Sequence, residues 1–132
     1  MAAHATIPPP GAEKLVRGDP ATFVMRVRVG GVDQDITTWT WRSFVRDRID
    51  GQEISQCETF DVVTPNDMPD QFPTTPGSTP CVLLVHWTMD QTALWKDGFV
   101  ADIEQIGPAK RTWIIFDTIH MDRDVSYDAS MP

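Results

Sequence analysis

At 132 residues, 41% hydrophobic and 23% charged, the chain is the length of one domain and long enough to bury most of the surface its unfolded form exposes. Lys and Arg number 11 against 19 Asp and Glu, a formal charge of −8, which repels a phosphate backbone and argues against nucleic-acid binding. No apolar run approaches the ~20 residues of a membrane span, so no membrane partner is expected.

The opening Met1-Ala2-Ala3-His4 lacks the basic start and apolar stretch of a secretory signal. Residues 1–20 read as an extended N-terminal arm. Ile7 is followed by Pro8-Pro9-Pro10-Gly11, and prolines cannot donate backbone hydrogen bonds and favour a polyproline conformation. Such a segment is either a mobile tail or an arm along a neighbouring subunit. In the second case Ile7, Pro8, Pro9, Pro10, Leu15 and Val16 are its candidate assembly contacts.

From residue 22 the period becomes two. Phe23, Met25, Val27 and Val29 point one way, Arg26 and Arg28 the other, the pattern of a half-buried strand. Gly30-Gly31 then supplies a tight hairpin turn. A second strand is predicted over 38–48, with Trp39, Trp41, Ser43 and Val45 on one face, and a third over 54–63 after the Asp50-Gly51 turn. Residues 64–80 hold Pro65, Pro69, Pro73, Pro76 and Pro80, a density that excludes a central strand or a helix. A connection this long either crosses between sheets or makes contacts, and Met68 and Phe72 are its apolar candidates for those contacts.

The run Cys81 to Thr88 is a nearly continuous apolar strand, as in the middle of a sheet. Residues 89–96 are the one plausible helical piece, with Asp90 as its cap. Strands follow over 99–106, 111–116 and 118–122, with Gly107-Pro108 turning the chain between the first two. The domain is therefore expected over 21–127, with a polar tail over 128–132. Seven or so short strands with turns every eight to twelve residues predict an all-β fold, a two-sheet antiparallel β-sandwich of Ig-like type, with a small closed barrel as the alternative.

Little in the sequence selects chemistry. Cys57 and Cys81 are widely spaced without paired histidines, so neither a metal nor another cofactor is expected. Two buried free thiols are the expectation and a single disulfide the alternative. His86 lies in the most apolar strand and reads as a histidine satisfied by a neighbour. No serine has the flanking glycines of a strained nucleophile turn, and no glycine-rich phosphate loop is present, so no catalytic residue is assigned and the chain is not expected to be an enzyme. Arg17-Gly18-Asp19 reads as turn chemistry before a strand. Five tryptophans are many for one small core, each indole wanting a partner for its N–H. Trp39, Trp41 and Trp95 are candidates for a subunit interface or for stacking on a sugar.

Four stretches in order resemble a known family. They are Val16-Arg17-Gly18-Asp19 before the strand 23–29, and Gly30-Gly31-Val32-Asp33 with Asp35-Ile36-Thr37. Next come Trp87-Thr88-Met89-Asp90-Gln91-Thr92 with Leu94 and Lys96-Asp97-Gly98-Phe99. Last come Ala101-Asp102-Ile103-Glu104, Arg111-Thr112 and the closing 122–126. This order is similar to the small β-sandwich proteins of tailed-phage virions, the minor tail proteins of phages infecting high-GC bacteria and the tail-collar proteins of long-tailed phages. The resemblance spans residues 16–127. It implies a non-enzymatic virion subunit, assembled in the host cytoplasm, homo-oligomeric, and partnered by other virion proteins of the tail tube or tip. A capsid-decoration protein on the phage shell is one alternative, a carbohydrate- or receptor-binding module another. The chain departs from the family pattern in two places: the proline-rich stretch 64–80 is longer than expected, and the Pro8-Pro9-Pro10 arm is not part of the family core.

Overall fold

The computed structural model describes residues 4–6, 15–16, 18–48, 51–119 and 121–122. The first strands are β1 (His4–Thr6), β2 (Leu15–Val16), β3 (Ala21–Arg26), β4 (Arg28–Val29), β5 (Val32–Asp33) and β6 (Thr40–Arg46). They are followed by β7 (Glu53–Gln56), β8 (Thr59–Val63), β9 (Val82–Trp87), β10 (Val100–Gly107), β11 (Arg111–Thr118) and β12 (Met121–Asp122). Among the described residues helix is confined to one turn, α1 (Met89–Thr92), and a 3-10 turn at Pro65–Asp67. The fold is all-β, as predicted.

Two antiparallel four-stranded sheets make up the body, ordered β1-β3-β9-β8 and β11-β10-β6-β7. The apolar run at 82–87 is a central strand, paired on both sides. One core draws on both sheets: Phe23, Met25, Val85 and Trp87 come from the first, Val45, Ala101, Ile103 and Trp113 from the second. Ile36, Trp95 and Ile119 enter it from connecting segments, each fully buried. Complete burial of one such side chain contributes about 1.5–3 kcal/mol.

The strand predicted over 54–63 is two strands in different sheets. The chain leaves β7 in the second sheet, crosses at Cys57-Glu58, and re-enters the first sheet as β8. Cys57 holds the crossing: its N–H donates to Ser43 O at 2.9 Å, and its thiol reaches Thr59 O at 3.2 Å and His86 O at 3.3 Å. No glycine or proline between 54 and 63 marks the break. The proline-rich segment, by contrast, does not cross between sheets; it joins β8 to its immediate neighbour β9. The helical turn is capped by Thr88 rather than Asp90: Thr88 Oγ1 accepts from Gln91 N while Gln91 Oε1 accepts from Thr88 N. That is a capping box, and Thr88-Met89-Asp90-Gln91 spells it in the sequence.

The segment 1–20 is described only in pieces. Residues 4–6 lie antiparallel on β3 with His4 opposite Arg26. Leu15–Val16 pairs in parallel with Met121–Asp122. Ile7, Pro8, Pro9 and Pro10, and the tail 128–132, lie outside the described residues.

Both thiols are buried and unpaired with each other, and burial pushes each above the ordinary thiol range. Since the thiolate is the reactive form, neither cysteine of the native protein is expected to react with Ellman's reagent on the time scale of an exposed thiol. Both should react in denaturant, and a fast native thiol would contradict the packing around the crossing.

Candidate functional site

Strand alternation puts Arg26 on the outer face of the first sheet, where solvent is the usual neighbour. Its side chain is instead only 8% exposed. Arg26 Nε donates to Asp33 Oδ1 at 2.9 Å and Nη2 to Asp33 Oδ2 at 2.8 Å, a bidentate pair of the strong, charge-assisted kind. Nη1 donates to Thr75 O at 2.6 Å, and the guanidinium lies 5.2 Å from the Phe72 ring centroid. Arg28 Nε adds a bond of 2.7 Å to Asp33 Oδ1. Hydrogen bonding from Arg26 above all, with Arg28 adding to it, holds the Asp33 carboxyl down at about 2.

The segment 64–80 therefore lies over this face. It has its own internal bonds: Thr64 and Asp67 cap the 3-10 turn, and Asn66 and Gly77 exchange two hydrogen bonds at 3.0 and 3.1 Å. At Gly77 a Cβ would stand 3.3 Å from Asp33 Oδ2, so the loop closes tightly. Met68 and Phe72 are half-buried, and Phe72 is already engaged by Arg26.

At the other end of the same face, His86 joins three strands. Its Nδ1 lies 3.0 Å from Thr22 Oγ1 and its Nε2 2.8 Å from Asp61 Oδ2. A hydroxyl, an imidazole and a carboxylate in a row are the elements of a nucleophile triad. Here they stand on adjacent strands of one open sheet face and satisfy one another, which is the satisfied histidine expected from the sequence. Among the described residues no group of three metal-binding side chains occurs.

The tryptophans divide into two clusters. Trp87 and Trp95 pack edge to face at 5.2 Å, both against Phe23. Trp95 is fully buried and its Nε1 donates to Ser55 Oγ at 3.0 Å. Its assignment as an interface or sugar-stacking residue is thus corrected, because the ring fills the core between the two sheets. Trp39 and Trp41 are half-buried; Trp39 stacks on Trp113 at 6.2 Å, which bonds Gln105 through Nε1 at 2.9 Å and carries Arg111 over its ring at 4.2 Å.

The described motif residues fall in turns and connections and in the paired strand β10. Gly18 N donates to Thr92 Oγ1 at 3.1 Å and the Thr92 hydroxyl donates to Asp19 O at 2.8 Å, so Gly18 and Asp19 are tied to α1 across more than seventy residues. Asp35 accepts from Thr37 N and Oγ1, while Ile36 between them is buried in the core. Asp102 accepts from Phe44 N at 3.1 Å, Ile103 is buried, and Glu104 pairs with Arg42. Burial raises the Asp102 carboxyl above the usual range.

Sequence reasoning missed where apolar surface is exposed. Val29 and Val32 are 37% and 62% exposed, Met89 and Leu94 58% and 59%, and Ile106 41%. Val29 was expected on the inward face with Phe23 and Met25. The ladder of the first sheet ends at Val27, whose N–H donates to Cys81 O, and the chain then leaves as the separate β4–β5 ribbon. No family model matches this chain, and neither a curated protein nor a solved structure matches it.

Proposed function

We propose that this protein is a non-enzymatic structural subunit of a tailed-phage virion, a minor tail or collar component that assembles by repeated symmetric contacts. Its two four-stranded sheets are read as the layers of an Ig-like sandwich, since one core takes side chains from both. The observation that carries the functional reading is the ordered run of motifs over 16–127. Their described residues cap turns, tie Gly18 and Asp19 to α1, or pair across strands. A pattern of that kind serves a shape to be repeated rather than a reaction centre, and virion subunits work by presenting complementary surfaces under symmetry. The excess negative charge keeps unassembled copies soluble and discourages pairing of strand edges.

Antibodies against the purified protein, applied to particles from cells carrying its gene, test the reading. Gold label at the tail or its tip is the expected result, and label on the shell would move the protein to the capsid-decoration class. Purified particles with intact tails and shells but none of this protein would overturn it.

A further inference from the structure

The end strand of a sheet leaves one row of backbone N–H and C=O groups without a ladder partner. Three of the four ends of the two sheets are blunted. β1 is three residues long, and β11 is set against β10 with two register shifts. β7 has four residues and a register shift against β6, and Gln91 Nε2 donates to Gln56 O at its end. β8 differs: its five residues pair with β9 without a shift, and Thr59-Phe60-Asp61-Val62-Val63 holds no proline or lysine. Among the described residues no strand lies on its other side. Val27 N donates to Cys81 O, in step with the β3–β9 register. The odd-numbered residues of β9 therefore bond to β3, and Val82, Leu84 and His86 turn their backbone groups to β8. Their partners there are Val63, Asp61 and Thr59. That leaves the N–H and C=O of Phe60 and Val62 directed out of the sheet edge. The side chains of these two pack on the core, while Thr59 and Asp61 are exposed.

Charge along this edge has one sign. From 49 to 95 the chain carries seven Asp and Glu and no Lys or Arg. Glu58 precedes β8, Asp61 stands at its centre and Asp67 follows it, all three exposed. Asp61 lies 2.8 Å from His86 Nε2 yet keeps 62% of its side chain exposed. Of the bases that bound the stretch in sequence, Arg46 on β6 is held by Glu53 and Asp102. Arg48 and Lys96 are exposed and follow β6 and α1 respectively. A second copy laid on β8 would set these acids against themselves, and like charges directly opposite one another destabilise a strand pair. A basic strand meets the opposite sign.

We propose that the open edge of β8 takes an extended segment of another protein as an added strand, one with Lys or Arg at alternate positions and apolar residues between them. The backbone of Phe60 and Val62 supplies the main-chain bonds that give such pairing its affinity. Side chains at one level of neighbouring strands leave by the same face. Basic residues of the guest thus meet Asp61 on the outer face, and its apolar residues lie beside Phe60 and Val62. The pairing goes beyond the virion reading and requires no virion context.

Fluorescence anisotropy with a dye-labelled, end-blocked peptide of alternating Lys and Val tests it, against the same peptide with Glu in place of Lys. The Lys peptide is expected to bind the full chain at least about tenfold more tightly than the Glu peptide. V62P removes an N–H that faces away from the β8–β9 ladder, a position where an edge strand accepts proline. It should keep the wild-type circular dichroism spectrum and melting temperature within a few degrees and weaken the Lys peptide about tenfold or more. The Lys peptide with every amide N-methylated keeps its side chains and charge but cannot pair; it should lose binding to the wild type, a result that does not depend on V62P folding. D61N keeps an acceptor for His86 and should weaken the Lys peptide while leaving the Glu peptide no weaker. Equal binding of the Lys and Glu peptides, no binding of the Lys peptide, or undiminished binding of its N-methylated form would each overturn the proposal. A wild-type dimer in sedimentation that V62P dissolves would overturn it in favour of pairing between two copies.

Discussion

Replacing Arg26 with methionine is expected to destabilise the protein by about 3 kcal/mol or more, the cost of removing one partner from a buried ion pair. The guanidinium is 8% exposed and joins three parts of the chain: strand β3 that bears it, Asp33 of the ribbon, and Thr75 O of the proline-rich segment. Methionine keeps much of the volume but makes none of these bonds. It leaves Asp33 to Arg28 alone, whose side chain is 41% exposed. Urea unfolding measures the global loss, and hydrogen exchange of residues 64–80 the local one, since that segment loses its tie at Thr75 and the cation over Phe72. A variant within 1 kcal/mol of wild type, with unchanged exchange over 64–80, would contradict the role given to Arg26.

The same pair sets a pH dependence. Asp33 is held at about 2 from an ordinary value of 3.8. A carboxyl depressed in the folded state contributes stability that is fully present above its unfolded value and is lost as pH falls through its folded one. Here that window runs from about pH 4 down to about pH 2 and is worth ~2 kcal/mol. D33N should remove that part of the acid limb while lowering stability at pH 7.

Arg26 also shows where the sequence stops being informative. Alternation of Phe23, Met25 and Val27 against Thr22, Val24 and Arg26 is a local signal, and it names the inward face of β3 correctly; the first three are fully buried. The same reasoning holds for Ser43 and Val45, for the Gly30-Gly31 hairpin, and for the central strand 82–87. Alternation says which face a side chain leaves by, however, and not what lies over that face. Arg26 is enclosed by residues nearly fifty positions away, and prolines announce only that their segment is not a strand. The sheet change at Cys57-Glu58 was illegible for a related reason. It is made by pairing partners, Ser43 on one side and His86 on the other, not by a residue that breaks a strand. The trio of Thr22, His86 and Asp61 likewise exists only through the register of β3, β9 and β8. The capping box at Thr88 was legible in four consecutive letters, and the apolar tip at Val29-Gly30-Gly31-Val32 could have been found by noting that a two-residue turn leaves its flanking valines with few neighbours.

Trp95→Ala is expected to cost about 3–5 kcal/mol, the range for emptying a large aromatic site in a core. Trp95 follows α1 on the connection from the first sheet to the second. It packs on Phe23 and Trp87 of one sheet and bonds Ser55 of the other, so its loss opens a void between the two. Part of that cost belongs to the indole N–H, and a matched pair isolates it. Trp87 is almost as deeply buried at 2% exposed, and its Nε1 is buried without a hydrogen-bond partner among the described residues. Trp87→Phe and Trp95→Phe remove similar ring volume, but only the second breaks a bond and strands the Ser55 hydroxyl. Trp95→Phe should therefore be the more destabilising of the two by about 1 kcal/mol in urea unfolding, the net worth of one hydrogen bond. Equal losses would mean that the Ser55 contact contributes nothing to joining the sheets.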